Sequence, residues 1–557
     1  LKQLSVLSLN HISFAYPNSP EAVFSDISVT FPLGWTAVVG DNGIGKTTLM
    51  RIAIGQTTAS EGTVVPDPKR AIYGYCPQRS DSAPENLDDF ANDWSTETMG
   101  IRRILDIEDD WPWRFDTLSG GERKRLQLAC ALAVRPDILV FDEPSNHVDS
   151  RTRSAIATAM QGFDGIGILV SHDVDLIDAT VSQCVFLQRQ HVGGLNRTIA
   201  VTRNGNYTQA ESQLKNETAR SQRDLMQARG EFQRLTREQT QRNQHLQHIE
   251  KMKDGCHIDR KDHDARNTHK LAKSTGMDLK ASRLTANMAS RVRQAELAAS
   301  NIITASKRYD GDIWFDCEPS HRRELVRVEA ELIPFVPSAG RAAVGDSVPE
   351  TKVPEASVAG VIVPTLSIGP QDHIGISGDN GTGKTTLFRH IESLLDSSHD
   401  VDTRLLAPQL GVQEQEQSQE RKLRVLIIEQ EMNEAQIAAT FDTVDELGKE
   451  EYSQLCSSLA QLNADPEHIL AERSPSAGEV RKLQLCLGAL RHPHVIMMDE
   501  PTNHLDLHSM ESLARVLKAF TGSLAVISHN EHFLSQITNI RWQTERDSRA
   551  HTRLRIE

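Results

Sequence analysis

The chain has 557 residues, 38% hydrophobic and 25% charged, enough for two or three domains with cores of their own. It contains no run of eighteen apolar residues and no signal-peptide pattern, which speaks against a membrane-spanning or secreted chain and for a cytoplasmic one. Net charge is −15, yet residues 211–310 hold 20 Lys/Arg against 13 Asp/Glu, so an acidic chain carries a basic middle. The seven cysteines are scattered with no C-x-x-C pair, as expected of reduced thiols rather than disulfides or a zinc site.

In chain order, WTAVVG (35–40) reads as a short strand leading into a glycine loop: Gly40, Asp41, Asn42, Gly43, Ile44, Gly45, Lys46, Thr47 and Thr48. The helical pattern TTLMRIA follows. In G-x-x-x-x-G-K-T the glycines let backbone N–H groups wrap a phosphate, and the helix N-terminus adds positive partial charge. Lys46 is expected to reach the β- and γ-phosphates of ATP, and Thr47 to bind Mg²⁺. Next come LSGGERKRLQLACAL (118–132), the apolar run ILVFDE (138–143), NHVD (146–149) and ILVSHD (168–173). Asp142 ends a buried parallel strand at the edge where open α/β sheets place ligands, and is expected to hold Mg²⁺ through water. Glu143 beside it can polarise the attacking water. His172 follows a second apolar run and can contact the γ-phosphate.

Through the basic middle, Leu225, Ala228, Phe232 and Leu235 step by threes and fours, as do Leu284, Met288, Arg291, Ala295, Ala298, Ile302 and Ala305. This is the seam of an antiparallel helical hairpin whose first arm, 206–250, is roughly 65 Å long at about 1.5 Å per residue. The segment 251–280 between the arms is rich in Lys, Arg and His. It fits either an RNA-contacting tip, driven by counterion release, or a solvated spacer.

After the linker the first pattern returns. DHIGISG (372–378) leads into Gly378, Asp379, Asn380, Gly381, Thr382, Gly383, Lys384, Thr385 and Thr386. SAGEVRKLQLCLGAL (476–490), VIMMDEPTNHLD (495–506) and AVISHN (525–530) complete it. Ser119 to Asp142 and Ser476 to Asp499 are both 23 residues; Glu143 to His172 and Glu500 to His529 are both 29. Lys384, Thr385, Asp499, Glu500 and His529 therefore repeat the roles above. The offset between halves is 357 for these motifs but 338 for the loops, so the second half carries 19 extra residues. VQEQEQSQE (412–420) reads as part of that insertion, a solvated loop. A duplicated domain follows: an α/β chain with two P-loop ATPase domains, 1–204 and 326–557, joined by a long α-helical hairpin linker, 205–325.

LSGGE is absent from generic P-loop ATPases, and at these residues the chain resembles the ATP-binding cassette superfamily. The resemblance implies two cassettes facing head to tail, each ATP lying between the loop of one and the S-x-G-E of the other. One site would pair Lys46, Asp142 and Glu143 with Ser476, Gly478 and Glu479. The other would pair Lys384, Asp499 and Glu500 with Ser119, Gly120, Gly121 and Glu122. Gln78 in YGYCPQ matches the glutamine of the Mg²⁺ shell; Gln430 is its counterpart, with Gln409 as a rival. Tyr16 in ISFAYP matches the aromatic that stacks on adenine, and the second half shows no counterpart, because 336–360 is irregular. Ala477 stands where the first signature glycine is expected, which puts equal turnover at the two sites in question.

Two cassettes in one chain, NHxD after both strands and a charged helical linker resemble the ABC-F proteins over nearly the whole length. That resemblance implies a monomer with paired cassettes that binds the ribosome, its basic linker tip reaching rRNA and the P-site tRNA. With 40 residues between Gln78 and Ser119, too few for a large arm subdomain, the pattern leans toward the antibiotic-resistance type over the housekeeping translation factors. The competing reading is the ATPase component of a transporter, for which the hydrophilic hairpin has no evident use.

Overall fold

A computed structural model describes residues 4–17, 22–146, 148–192, 195–253, 263–264, 267, 287–297, 319–335, 359–397, 401–402, 423–430, 432, 434–462, 464–472, 476–503, 505–547 and 551–556. The chain divides into two compact units. One holds Leu1–Gln188, Ala200–Tyr207 and Arg308–Glu557; the other holds Arg189–Ile199 and Thr208–Lys307.

In the first half, β1 (Val6–Ala15), β2 (Ala22–Pro32) and β4 (Glu61–Val65) make an antiparallel sheet in the order β2-β1-β4. The strands β3 (Gly34–Gly40), β5 (Tyr73–Cys76), β6 (Ile138–Asp142), β7 (Ile166–Val170), β8 (Gln183–Val192) and β9 (Leu195–Asn204) form a second sheet, ordered β5-β6-β7-β3-β8-β9. Its inner strands read as continuous apolar runs because both faces are covered, one by helices and the other by α1 and the smaller sheet. Every residue of β6 and β7 is buried. Val38, Leu49, Met50, Val140, Ile168 and Val185 lie in one core with Phe24 and Phe31 of the smaller sheet. Helices α1 (Lys46–Ala53), α2 (Leu87–Asn92), α3 (Thr96–Ile104), α4 (Gly120–Ala133), α5 (Ser150–Gln161) and α6 (Val174–Thr180) connect the strands.

A single helix, α7 (Tyr207–Lys253), enters the linker. Residues 287–297 are helical too, while most of the expected tip 251–280 lies outside the described residues.

The second half repeats the plan. Its strands are β10 (Val326–Val328), β11 (Glu331–Pro334), β12 (Gly360–Val363), β13 (Leu366–Ile368), β14 (His373–Gly378), β15 (Val401–Asp402), β16 (Leu423–Ile428), β17 (Val495–Asp499), β18 (Ser523–Ile527), β19 (Ile540–Arg546) and β20 (His551–Ile556). They run β11-β12-β20-β19-β14-β18-β17-β16-β15, with β10 paired to β13. The helices are α8 (Lys384–Ser397), α9 (Glu434–Asp445), α10 (Lys449–Gln461), α11 (Pro466–Glu472), α12 (Ala477–Leu490), α13 (Leu507–Ala519) and α14 (Glu531–Ile537). Duplication extends to unusual backbone: Arg135 and His492, 357 residues apart, have φ of 50° and 52°, and Glu143 and Glu500 have 48° and 47°. The segment 412–420 lies outside the described residues.

One consequence concerns His494, at the start of β17. Its Nδ1 accepts a hydrogen bond from the Arg424 N–H at 3.0 Å. Burial, then the neighbouring Arg424, Arg322 and His321, hold its imidazole down at about 4, against an ordinary 6.5. A depressed pKa means that folding favours the neutral ring. That stabilisation is complete above pH ~6.5 and is lost as pH falls through ~4. The thermal midpoint of the parent chain should therefore drop more steeply between pH 6.5 and 4 than that of His494→Asn, which cannot take the proton.

Candidate functional site

Both glycine loops lie at the C-terminal edge of the central strand of their sheet. In the first, Lys46 Nζ donates to the carbonyls of Gly40 (2.6 Å) and Asp41 (3.2 Å) and lies 3.0 Å from His172 Nε2. Thr47 Oγ1 donates to Asp142 Oδ2 at 2.8 Å. Ile44 is buried in the core, anchoring the loop. Tyr16, half exposed, places its hydroxyl 2.8 Å from Thr48 Oγ1. In the second, Lys384 Nζ donates to Gly378 (2.9 Å) and Asp379 (2.8 Å), and Thr385 Oγ1 to Asp499 Oδ2 (3.1 Å). Thr382 is pinned by Thr544 at 2.6 Å, and Thr386 continues the first turn of α8. Here the histidine differs: His529 Nε2 lies 3.0 Å from Asn380 Oδ1.

The loop glycines are required by shape. Gly45 and Gly383 have φ of 102° and 86°. A Cβ on Gly45 would stand 2.6 Å from Val23 Cγ1; one on Gly383 would stand 2.6 Å from Phe335 Cε1 and strike Val361. Gly383→Ala combines a left-handed backbone with a clash, about 1–3 kcal/mol of local strain. It should weaken nucleotide binding at the second loop about tenfold or more, measured by titration calorimetry in a chain whose first loop carries Lys46→Ala.

Phe335 is the positional counterpart of Tyr16. It follows β11 as Tyr16 follows β1, and the strand-end pair Pro334↔Gly360 matches Ala15↔Ala22. Its N–H donates to Ala359 at 3.0 Å. The aromatic thus sits before the irregular segment, at a place only strand register reveals.

Glu143 and Glu500 are both 5% exposed. Burial pushes Glu143 up to about 8, opposed by the Lys46 cation, and Glu500 up to about 7. Each faces its histidine: His172 Nε2 is 3.3 Å from Glu143 Oε1, and His529 Nε2 is 3.6 Å from Glu500 Oε1. Burial, then Lys46, holds His172 well below its ordinary value, so the ring is neutral. Asp142 Oδ1 is buried without a hydrogen-bond partner beside Thr47 Oγ1. An orphaned carboxylate oxygen next to a hydroxyl, all hard oxygen donors, fits a divalent cation of the Mg²⁺ kind.

Gln78 and Gln430 each stand two residues beyond their strands, β5 and β16. A cation from the signature helix grips each backbone carbonyl: Lys124 Nζ donates to Pro77 (2.5 Å) and Gln78 (3.2 Å), and Arg481 Nη2 to Gln430. Lys124 and Arg481 are 357 residues apart, which makes Gln430 the positional match of Gln78. Gln409 lies outside the described residues.

The signature motifs cap α4 and α12. Ser119 Oγ accepts from the Glu122 N–H, and Glu122 accepts from the Ser119 N–H at 2.8 Å. Ser476 and Glu479 repeat this box, with Gly478 in the first turn. Both serine hydroxyls are thus turned onto their own glutamates. Gly121 faces the second loop, a Cβ there standing 3.9 Å from Asn380 Nδ2, while Gly120 opens α4.

What bridges the halves is the end of NHxD. Asp506 Oδ2 accepts from the Asn42 N–H at 3.3 Å, and Asp149 Oδ2 from the Asn380 N–H at 3.4 Å. Ser150 Oγ donates to Asp379 Oδ1 at 3.4 Å. Asp149 and Asp506 also cap α5 and α13. Each carboxylate therefore ties a helix start in one half to the glycine loop of the other. Sequence reasoning marked NHxD but missed these crossings, because spacing within one half says nothing about the other.

Two loops of this kind, each with a strand-end carboxylate pair, together with two signature helices capped alike, define a tandem ATP-binding-cassette ATPase. A family model described as ABC transporter matches residues 24–146 and 363–503. The ribosome protection protein VmlR of Bacillus subtilis is 24% identical over 573 residues, covering 99% of this chain and 91% of its own length. The probable ATP-binding protein YheS of Escherichia coli K12 is 25% identical over 545 residues, covering 90% and 73%. In fold, the chain is similar to the solved RNase-L inhibitor, with a TM-score of 0.55 at 14% identity, covering 98% of this chain and 90% of that one. The chain carries two ATP-binding cassettes and is an ATP hydrolase.

Proposed function

We propose that ATP is sandwiched at two composite sites and that its turnover drives action on the ribosome, in translation or in protection from antibiotics. Glu143 and Glu500 orient and deprotonate the attacking water. Lys46 and Lys384 hold the β- and γ-phosphates, and His172 and His529 meet the γ-phosphate. Tyr16 and Phe335 offer faces for adenine. Thr47, Asp142 and Gln78, and in the other half Thr385, Asp499 and Gln430, would hold Mg²⁺, which neutralises phosphate charge. Across the interface stand Ser476, Gly478 and Glu479, and Ser119, Gly120, Gly121 and Glu122. The crossing carboxylates Asp149 and Asp506 support this head-to-tail pairing within one chain.

The ribosomal reading is carried by the likeness to VmlR, named for ribosome protection, which spans both cassettes and the linker between them. The basic tip 251–280 supplies the contact with rRNA and the P-site tRNA, and the chain works in the cytoplasm. No described helix is long and apolar enough to cross a membrane. Sucrose-gradient sedimentation of Glu143→Gln, Glu500→Gln with ATP tests the proposal. Co-migration with ribosomes is expected; co-migration with membranes would favour a transporter ATPase instead.

A further inference from the structure

We infer that the Arg153–Asp173 ion pair is a positioning device, present in the first cassette alone, through which occupancy of the site on Lys46 sets turnover at the site on Lys384. The inference rests on the proposed contact of His172 with the γ-phosphate. Asp173 follows His172 and caps α6, its Oδ1 accepting from the Leu176 N–H at 3.1 Å. Its other oxygen lies 2.7 Å from Arg153 Nε, the two side chains being 10% and 17% exposed. The angle is too poor for a good hydrogen bond, so the hold is chiefly electrostatic, and burial keeps it from being screened. Arg153 sits in the first turn of α5, its N–H donating to the Asp149 carbonyl at 3.0 Å. Asp149 then reaches the Asn380 N–H of the other site. A shift of His172 therefore moves, through one ion pair and one helical turn, a contact made by the second glycine loop.

The second cassette has no such pair. At the offset of 357, Arg153 becomes Met510 and Asp173 becomes Asn530. Asn530 caps α14, accepting from the Phe533 N–H at 2.9 Å, and Met510 is buried. Asp506, the counterpart of Asp149, instead has the signature-helix cation Lys482 as its main charged neighbour. Each crossing carboxylate also lies within electrostatic reach of the histidine of the site it meets, His529 for Asp149 and His172 for Asp506, so what differs between the halves is the ion-paired link alone. Linkage forces any coupling of binding affinities to be equal in both directions, so the one-sidedness must show in turnover rates, which linkage does not constrain.

The test compares turnover at the second site with the first site filled (Glu143→Gln) and empty (Lys46→Ala), at saturating ATP with full-length chain. The ratio of these two rates should differ from one by about fivefold or more. Adding Arg153→Met should bring the ratio to within about twofold of one, while Arg153→Lys, which keeps the charge, should preserve it. The mirror ratio, first-site turnover with Glu500→Gln against Lys384→Ala, should not respond to Arg153→Met. Should Arg153→Met fold poorly, Asp173→Asn is the second variant. A parent ratio near one, a ratio that survives both variants, or equal loss in the mirror ratio would overturn the inference. Absence of ATP hydrolysis in all four backgrounds would instead overturn the two-site reading on which it stands.

Discussion

Changing Glu143 and Glu500 together to Gln is expected to slow ATP hydrolysis about 10²–10⁴-fold, the range for losing a general base, while leaving ATP binding intact. The swap keeps the shape of each side chain and removes only the ability to take a proton. Both residues have left-handed φ, which Gln meets no worse than Glu, so neither strand-end turn should move. Both carboxyls are buried, each facing a histidine and with its loop lysine as a charged neighbour, where little else can replace them. Phosphate release at saturating ATP checks the rate; calorimetry with ATP checks binding. Hydrolysis within about tenfold of the parent would remove both glutamates from the chemistry.

Deleting 251–280 should produce the second large effect, loss of ribosome-linked function with ATP affinity unchanged. Every contact described at the two nucleotide sites lies outside that segment, which holds eight Lys/Arg able to meet RNA phosphates. Replacing counterions on RNA makes such binding steeply salt-dependent, so the intact chain should also lose ribosome association as salt rises. Co-sedimentation of both chains over a salt series separates the cases. A deletion chain that associates and functions like its parent would reduce the tip to a spacer.

The sequence exposed what recurs at fixed spacing. The 29-residue step from Glu143 to His172 became a 3.3 Å approach, because both end neighbouring parallel strands, β6 and β7. Thr47 and Asp142, 95 residues apart, meet at 2.8 Å because α1 starts at the same sheet edge where β6 ends, with β7 between β6 and β3. What spacing could not expose depends on partners without a shared motif. Phe335 was hidden because its strand is four residues long and its partner begins beyond the irregular stretch. Asp149 and Asp506 show in the sequence only as the ends of NHxD; in the structure one oxygen of each caps a helix and the other acts on the opposite half. No motif or spacing singles out Arg153; only three dimensions put it against Asp173. Most of the tip 251–280 and the rival Gln409 lie outside the described residues.

The left-handed turns at Glu143 and Glu500 carry an evolutionary corollary. Asn or Gly would sit more comfortably in that backbone, by about 1 kcal/mol. A population of this chain selected for heat resistance alone should therefore drift to those residues at 143 and 500. Melting curves would register the drift as improvement, and only a turnover assay would reveal that the enzyme had been lost.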